Sequence, residues 1–292
     1  MSTEWAATAT TADKPAVPAL ERELTTLWRW NLGCGLLHLV QGIGVLVASQ
    51  VASNVKNFKL PITSDFLVWS SAGPRQNPAI LGFLPFAATA SGFAFLSAAA
   101  HFLVLLCWGK YTADLARGLN RFRWWEYALS SSLMIVLIAM LFGVWNVISL
   151  VGVGAINTAM CLFGDLHEVM NAGRAPAEVD WTAYIYGTAA GLVPWGIIIA
   201  FIAATPNLQQ VPAFVWAILV VYFILFQSFP LVMFMQYKRI GCCRNTGRIP
   251  ELGDAVGYYT GERAYQTLSL VAKSLLLWLV VGGVNQPNSY SN

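Results

Sequence analysis

The chain has 292 residues, of which 57% are hydrophobic and only 11% charged, and its formal net charge is +3. This balance lies outside the range of soluble globular domains and makes the bilayer the solvent of the fold. It offers no basic surface on the scale that nucleic acid requires, and no residue pattern reads as an enzyme's catalytic set or a metal site.

The chain opens on residues 1–23, rich in Ala, Thr and Pro and without the apolar core of a signal peptide; they read as a mobile tail. Apolar runs of about 20 residues, enough to cross a bilayer, then follow at about Leu27 to Val51, Ile80 to Trp108, Trp124 to Val147, Ile148 to Met170, Trp181 to Ala204, Val211 to Tyr237 and Arg263 to Val284. The expected fold class is an all-α membrane protein, a seven-transmembrane-helix bundle over residues 24–284, followed by a short external tail over 285–292. In the first connection, "SDFLVWSS" (Ser64 to Ser71) is rich in β-favouring residues, so a short hairpin and an irregular loop both remain open. The sixth connection is basic, contains glycine and reads as flexible. The five cysteines do not form a disulfide framework, because Cys34, Cys107 and Cys161 fall inside spans and Cys242 and Cys243 are adjacent.

Orientation follows from the basic residues. Thirteen lysines and arginines fall on the side of the N-terminus, among them Arg123 and Arg263, and three, Lys56, Lys59 and Arg75, on the opposite side. The N-terminus is therefore expected in the cytoplasm and the C-terminus outside.

Ionisable residues inside a membrane are expensive and are functional candidates by default. They are His38, His101, Glu126 and Lys273, with Asp165, His167 and Glu168 near the end of span four, where a helix terminus at the interface also explains charge. Lys273 is the sharpest case. It sits mid-span in "YQTLSLVAKSLLLWLVVGG", roughly 15 Å from either end of the helix, further than its stem can snorkel. Glu126 and Lys273, of opposite sign on two helices, are expected to be partners; they are harder to dismiss as structural than the others, a plain structural ion pair being the alternative.

The motifs around these residues go further. "GERAYQTLSLVAKS" (Gly261 to Ser274) resembles the seventh-helix signature of the heliorhodopsins, and "RFRWWEYALSSSLM" (Arg121 to Met134) their third helix. "LLHLVQG" in span one, "HFLV" in span two, "INTAM" and "DLHEVM" in span four and "QYKRIG" after span six match in the same order. The resemblance covers all seven spans and includes the inverted charge bias; the N-terminal tail and the sixth connection are longer than in the family's prokaryotic members. It implies a rhodopsin-like bundle in which Lys273 is condensed with all-trans retinal as a protonated Schiff base. It also implies Glu126 as the counterion, the one interior carboxylate expected on another central helix, and Ser269 in contact with the Schiff base. Tyr127, Ser130, Ser131, Met134, Asn157 and Phe226 would line the slot. Ser97, His38, His101, Gln41 and Asn120, with Glu168, would form a polar network toward the cytoplasm. The implied partners are retinal, the lipid bilayer, a second copy in a homodimer, and a signalling or membrane protein partner of unknown identity.

What light does is then a choice between readings. A pump needs proton acceptors and donors on both sides of the switch. Pumps similar to this chain carry a second carboxylate eleven positions after the counterion, where Leu137 stands here. A one-sided polar network suits a photoreceptor with a slow photocycle that signals. The alternative is a light-driven or light-gated proton transporter, with Glu168 and Asp165 as a relay. A third reading is a carrier that uses Lys273 and Glu126 for ion coupling without any chromophore.

Overall fold

The computed structural model describes residues 16–243 and 255–285. In chain order the elements are α1 (Ala16–Val51), α2 (Ser53–Asn57), β1 (Lys59–Ser70), β2 (Gly73–Pro85), α3 (Phe86–Leu106), α4 (Trp108–Ala116), α5 (Arg121–Leu141), α6 (Val147–Asn171), α7 (Thr182–Ala204), α8 (Ala213–Lys238) and α9 (Ala255–Val284). Seven of these helices, α1, α3 and α5 to α9, are long and apolar enough to cross a membrane. Large apolar side chains on their outer faces are exposed, such as Val40, Leu106, Trp125 and Ile199, as expected where the surroundings are lipid.

The spans begin and end where local chemistry demands it. The Asn120 side chain accepts the backbone N–H of Arg123 and caps α5, and Asn146 accepts the N–H groups of Ile148 and Ser149 and caps α6. At the far end of α5, Gly143 takes a φ of +91°, which lets Val144 N–H reach back to the Ala139 carbonyl at 3.2 Å. Small residues on α3, Ala87, Ala90, Ala94, Ser97 and Ala98, are buried, so backbones approach closely there.

Three expectations change. The second span was expected from Ile80, but residues 80–85 belong to β2 and the helix starts at Phe86, after Pro85, whose missing N–H suits the end of a strand. The hairpin is also longer than a short pairing around Ser64 to Ser71: β1 and β2 pair antiparallel from Lys59↔Pro85 to Ser70↔Gly73. Its base is fixed to the bundle by Thr63 N–H to the Trp145 carbonyl at 2.9 Å and by Asn146 Nδ2 to Asp65 at 2.9 Å. Finally, α1 starts at Ala16 and has 36 residues, so residues 16–23, expected in a mobile tail, are helical. At about 1.5 Å per residue that is roughly 54 Å, well beyond a hydrocarbon core of about 30 Å. The first turns therefore project, and Leu20, Leu24 and Leu27 pack with Trp108, Tyr111 and Leu115 of α4 and with Tyr258 and Tyr259 of α9. Residues 1–15, most of the sixth connection and residues 286–292 lie outside the described residues.

The largest apolar core occupies the hairpin end of the bundle. Phe58 and Leu60 from the hairpin region, Phe86 and Phe93 of α3, Ile135, Leu137 and Ile138 of α5, and Leu276, Leu277 and Val280 of α9 are all buried in it.

Candidate functional site

Lys273 lies midway along α9, 2% exposed. Its Nζ donates to Glu126 Oε1 at 2.6 Å and to Ser269 Oγ, one turn earlier, at 2.8 Å. The ammonium also stands 5.3 Å from the Tyr127 ring centroid. Glu126 Oε1 receives a second hydrogen bond, from Ser97 Oγ at 2.6 Å. An ammonium and a carboxylate at this separation satisfy each other where neither is solvated by bulk water.

Beside the amine runs a cavity of about 930 Å³, counted with its mouth, between α5, α6, α7, α8 and α9. Of the expected lining residues, Lys273, Ser269, Tyr127, Ser130, Ser131, Met134 and Phe226 face the cavity. Asn157 does not; it stands behind the wall and donates to Ser131 Oγ at 2.8 Å and Ser132 Oγ at 3.1 Å. Residues that sequence reasoning passed over complete the slot: Trp124, Trp195, Phe229 and Met233 as bulky walls, and Gly187 and Gly191 on α7, where an added Cβ would meet Phe163 and Met160 of α6.

The expected polar network divides. His38 and His101 stack with ring centroids 5.8 Å apart, and His101 Nδ1 lies 2.9 Å from Asn31 Oδ1. Gln41, expected beside them, instead accepts from Ser274 Oγ at 2.9 Å, one position beyond Lys273 toward the hairpin end. Asn120 and Glu168 sit deeper toward the N-terminal end, in a buried ion cluster. There Arg123 pairs with Glu168 and, at 2.5 Å, with Glu262, while its guanidinium lies 4.0 Å from the Tyr265 ring centroid. Glu262 also accepts from Asn120 Nδ2 at 2.9 Å, Tyr111 OH at 3.0 Å and Gln266 Nε2 at 2.9 Å. Glu168 accepts from the Asn120 N–H at 2.8 Å and Tyr258 OH at 3.3 Å.

This corrects three expectations. Glu126 is not alone as an interior carboxylate, since Glu168 and Glu262 are 0% and 2% exposed. Glu168 is not a charge at the interface, because Arg123 holds it inside. Arg123 itself, counted with the solvated basic residues, is 6% exposed; two carboxylates and an aromatic face replace its water. Among the other residues near the end of span four, Asp165 is half-buried, and His167 is enclosed by the rings of Trp181, Tyr184 and Tyr237.

A second cavity, about 380 Å³, connects the two polar groups: Glu126, Ser269 and His101 border it on one side and Asn120, Arg123, Glu262 and Gln266 on the other. Spacing held the signal for the missed residues. Glu262, Gln266, Ser269 and Lys273 recur at four, three and four residues on one helix face, as do Asn31, Cys34, His38 and Gln41 at three, four and three.

A buried amine–carboxylate pair at the wall of an apolar slot, inside seven membrane helices, is the arrangement to set beside known proteins. A search of curated proteins gives no match. The family model for heliorhodopsin matches residues 27–284, most of the chain, and the chain therefore belongs to the heliorhodopsin family of retinal-binding, light-sensing membrane proteins.

Proposed function

We propose that this protein is a photoreceptor in which Lys273 carries retinal covalently, Glu126 serves as the counterion, and a slow photocycle leads to signalling and not to pumping. The observation that carries this is the 2.6 Å contact of Lys273 Nζ with Glu126 at the wall of the apolar slot. The site suits the group: a nucleophilic amine, an adjacent carboxylate to balance a cation, and an aromatic-lined cavity for a long apolar chain. Retinal bound there as a protonated Schiff base supplies the light absorption and the light-driven change of shape. The chain's own residues do the rest. Glu126 holds the positive charge at the nitrogen, Ser97 and Ser269 orient that pair, and Trp195, Phe226 and Met134 shape the slot. Asn157 keeps Ser131 in place, and His101 with His38 offers basic nitrogens close to the counterion.

Several further features belong to this reading. The excess of basic residues at the N-terminal end supports a cytoplasmic N-terminus and an external C-terminus, and moving Arg123 from the surface to the interior leaves that excess intact. The outer part of the hairpin exposes Phe66, Leu67, Trp69, Ile80 and Phe83, which supports a homodimer in which a second copy covers them. The second reading, a proton transporter, draws on the polar cavity that extends from Glu126 to the Arg123 cluster. Against it stands the apolar core around Leu137 on the other side of Lys273. Membership of a retinal-binding family removes the chromophore-free carrier.

The test is colour. Lys273→Ala should insert and yet show no visible band after addition of all-trans retinal, whereas the unaltered protein becomes coloured and is trapped by borohydride as a reduced adduct. A coloured, reducible adduct in Lys273→Ala would overturn the assignment.

A further inference from the structure

His101 is held by one neighbour whose own orientation can be deduced. Asn31 Nδ2 donates to the Leu27 carbonyl at 2.9 Å. Its Oδ1 therefore points the other way, where His101 Nδ1 lies at 2.9 Å and Gln266 Nε2 at 3.5 Å. An amide oxygen only accepts, so the Nδ1 of His101 carries the hydrogen, and the lone pair of the neutral ring is on Nε2. The orientation of Gln266 has an independent anchor. Its Nε2 faces Glu262 Oε1 at 2.9 Å and Tyr111 OH at 3.3 Å, and a carboxylate admits only the NH₂ end of an amide. Glu262 thus turns Gln266, Gln266 supports the Asn31 oxygen, and Asn31 fixes the ring.

The charges point in the same direction. Lys273 and Glu126 cancel, whereas Arg123 faces both Glu168 and Glu262, so the ionised cluster has one negative charge to spare. Its carboxylates are well supplied with donors, and His101 lies across the second cavity from it. The charged groups around His101 are Glu126, Lys273 and Glu262, and the titratable ring of His38 stacks on it.

We propose that Asn31 and Glu262 are positioning residues that hold His101 as the Nδ1–H tautomer, so that a proton released from the Lys273 site is taken up on Nε2 and the imidazolium is held opposite a surplus carboxylate. This rests on the proposed function above, in which Lys273 carries the chromophore and His101 offers a basic nitrogen close to the counterion. No bond rotation is needed on protonation: Nδ1–H stays on Asn31, Nε2 gains the proton, and the same proton returns from Nε2.

The test uses the full chain labelled with ¹⁵N-histidine, before and after addition of retinal. The chain has three histidines, and the His101 signals are those lost in His101→Gln. The unaltered protein should show a protonated Nδ1 and a bare Nε2. Asn31→Leu should lose that signature, with Nε2–H becoming the majority form, while Asn31→Asp, which keeps an acceptor oxygen, should retain it. Glu262→Gln should give a mixture, because a neutral amide no longer dictates which end of Gln266 it meets. An Nε2–H ring in the unaltered protein, or an unchanged ring in Asn31→Leu, overturns the proposal even if other variants fail to fold. An unchanged ring in Glu262→Gln overturns the part assigned to Glu262. A protein that stays colourless with retinal overturns the chromophore reading instead, and the tautomer is still read in the colourless protein, so the two failures are distinct.

Discussion

On α9, the same helix face changes character at Lys273. Toward the N-terminal end it presents Glu262, Gln266 and Ser269, which engage Arg123, Tyr111, Asn31 and the lysine; toward the hairpin end it presents Leu276, Leu277, Val280 and Val284, packed on Ile135, Leu137, Ile138 and Val215. One half is a chain of hydrogen bonds with its own cavity and the other is a close-packed apolar core. On the proposed reading, a proton displaced from the Lys273 site would meet the polar cavity in one direction and, beyond the Ser274–Gln41 pair, hydrocarbon in the other, so departure and return would share one route. On the reading proposed above, this asymmetry, more than any single residue, favours a sensor over a pump.

The largest effect should come from breaking the polar half at its centre. Arg123→Ala leaves Glu168 and Glu262 buried without their cation, and removing one partner of a buried ion pair typically costs about 3–5 kcal/mol. Thermal bleaching of the visible band should move down accordingly, and a variant as stable as the parent would show that the two carboxylates do not depend on Arg123. Next is the boundary itself. Glu126→Gln removes the charge opposite Lys273, so the visible band should either shift to the red or give way to an ultraviolet-absorbing, deprotonated form at neutral pH; an unchanged spectrum would move the counterion elsewhere. Within the apolar half, Tyr222 is a fully buried exception whose hydroxyl donates to the Ala272 carbonyl at 2.5 Å. Tyr222→Phe should lower stability by about 0.5–1.5 kcal/mol, measured by the same bleaching. The smallest expected effect is none: illuminated cells should show no steady photocurrent and no sustained pH change that an uncoupler abolishes. A steady current that depends on Glu168 would show that protons cross the apolar half.

The sequence carried much of this, unevenly. Hydropathy located the seven spans because lipid enforces long apolar runs, and Lys273 was conspicuous because a mid-span amine out of reach of the interface is costly unless something buried satisfies it. Ser269 and Glu126 came with the family motifs and stand in contact with it, and Ser97 reaches it through Glu126. The ion cluster was harder to see. Arg123 lies in the first turn of α5 and Glu262 stands beside Arg263, just before the expected start of the seventh span, where a buried ion pair and a solvated end are written with the same letters; only three-dimensional proximity tells them apart. Gln41 was misplaced because it lies one turn beyond His38 on the same face, and that face passes the level of Lys273 between the two. Residues 80–85 misled in a different way, since a short apolar run fits a strand or a helix equally well and the pairing with residues 59–63 decided it.

The attachment of the hairpin to the rest of the molecule sets a schedule for biosynthesis. Asp65 and Asn146 are 81 residues apart in the chain, so the clamp that steadies the hairpin does not exist until the start of α6 has been made. At synthesis rates of about 5–20 residues per second, the interval is roughly 4–16 s. During that time the second and third spans are made and the β-ribbon, with Phe66, Leu67 and Trp69 uncovered, stands without this anchor. The newborn chain thus passes through a window in which its most adhesive segment is held by nothing but its own ladder of hydrogen bonds, and crowded ribosomes on one message would bring several such ribbons together at that moment.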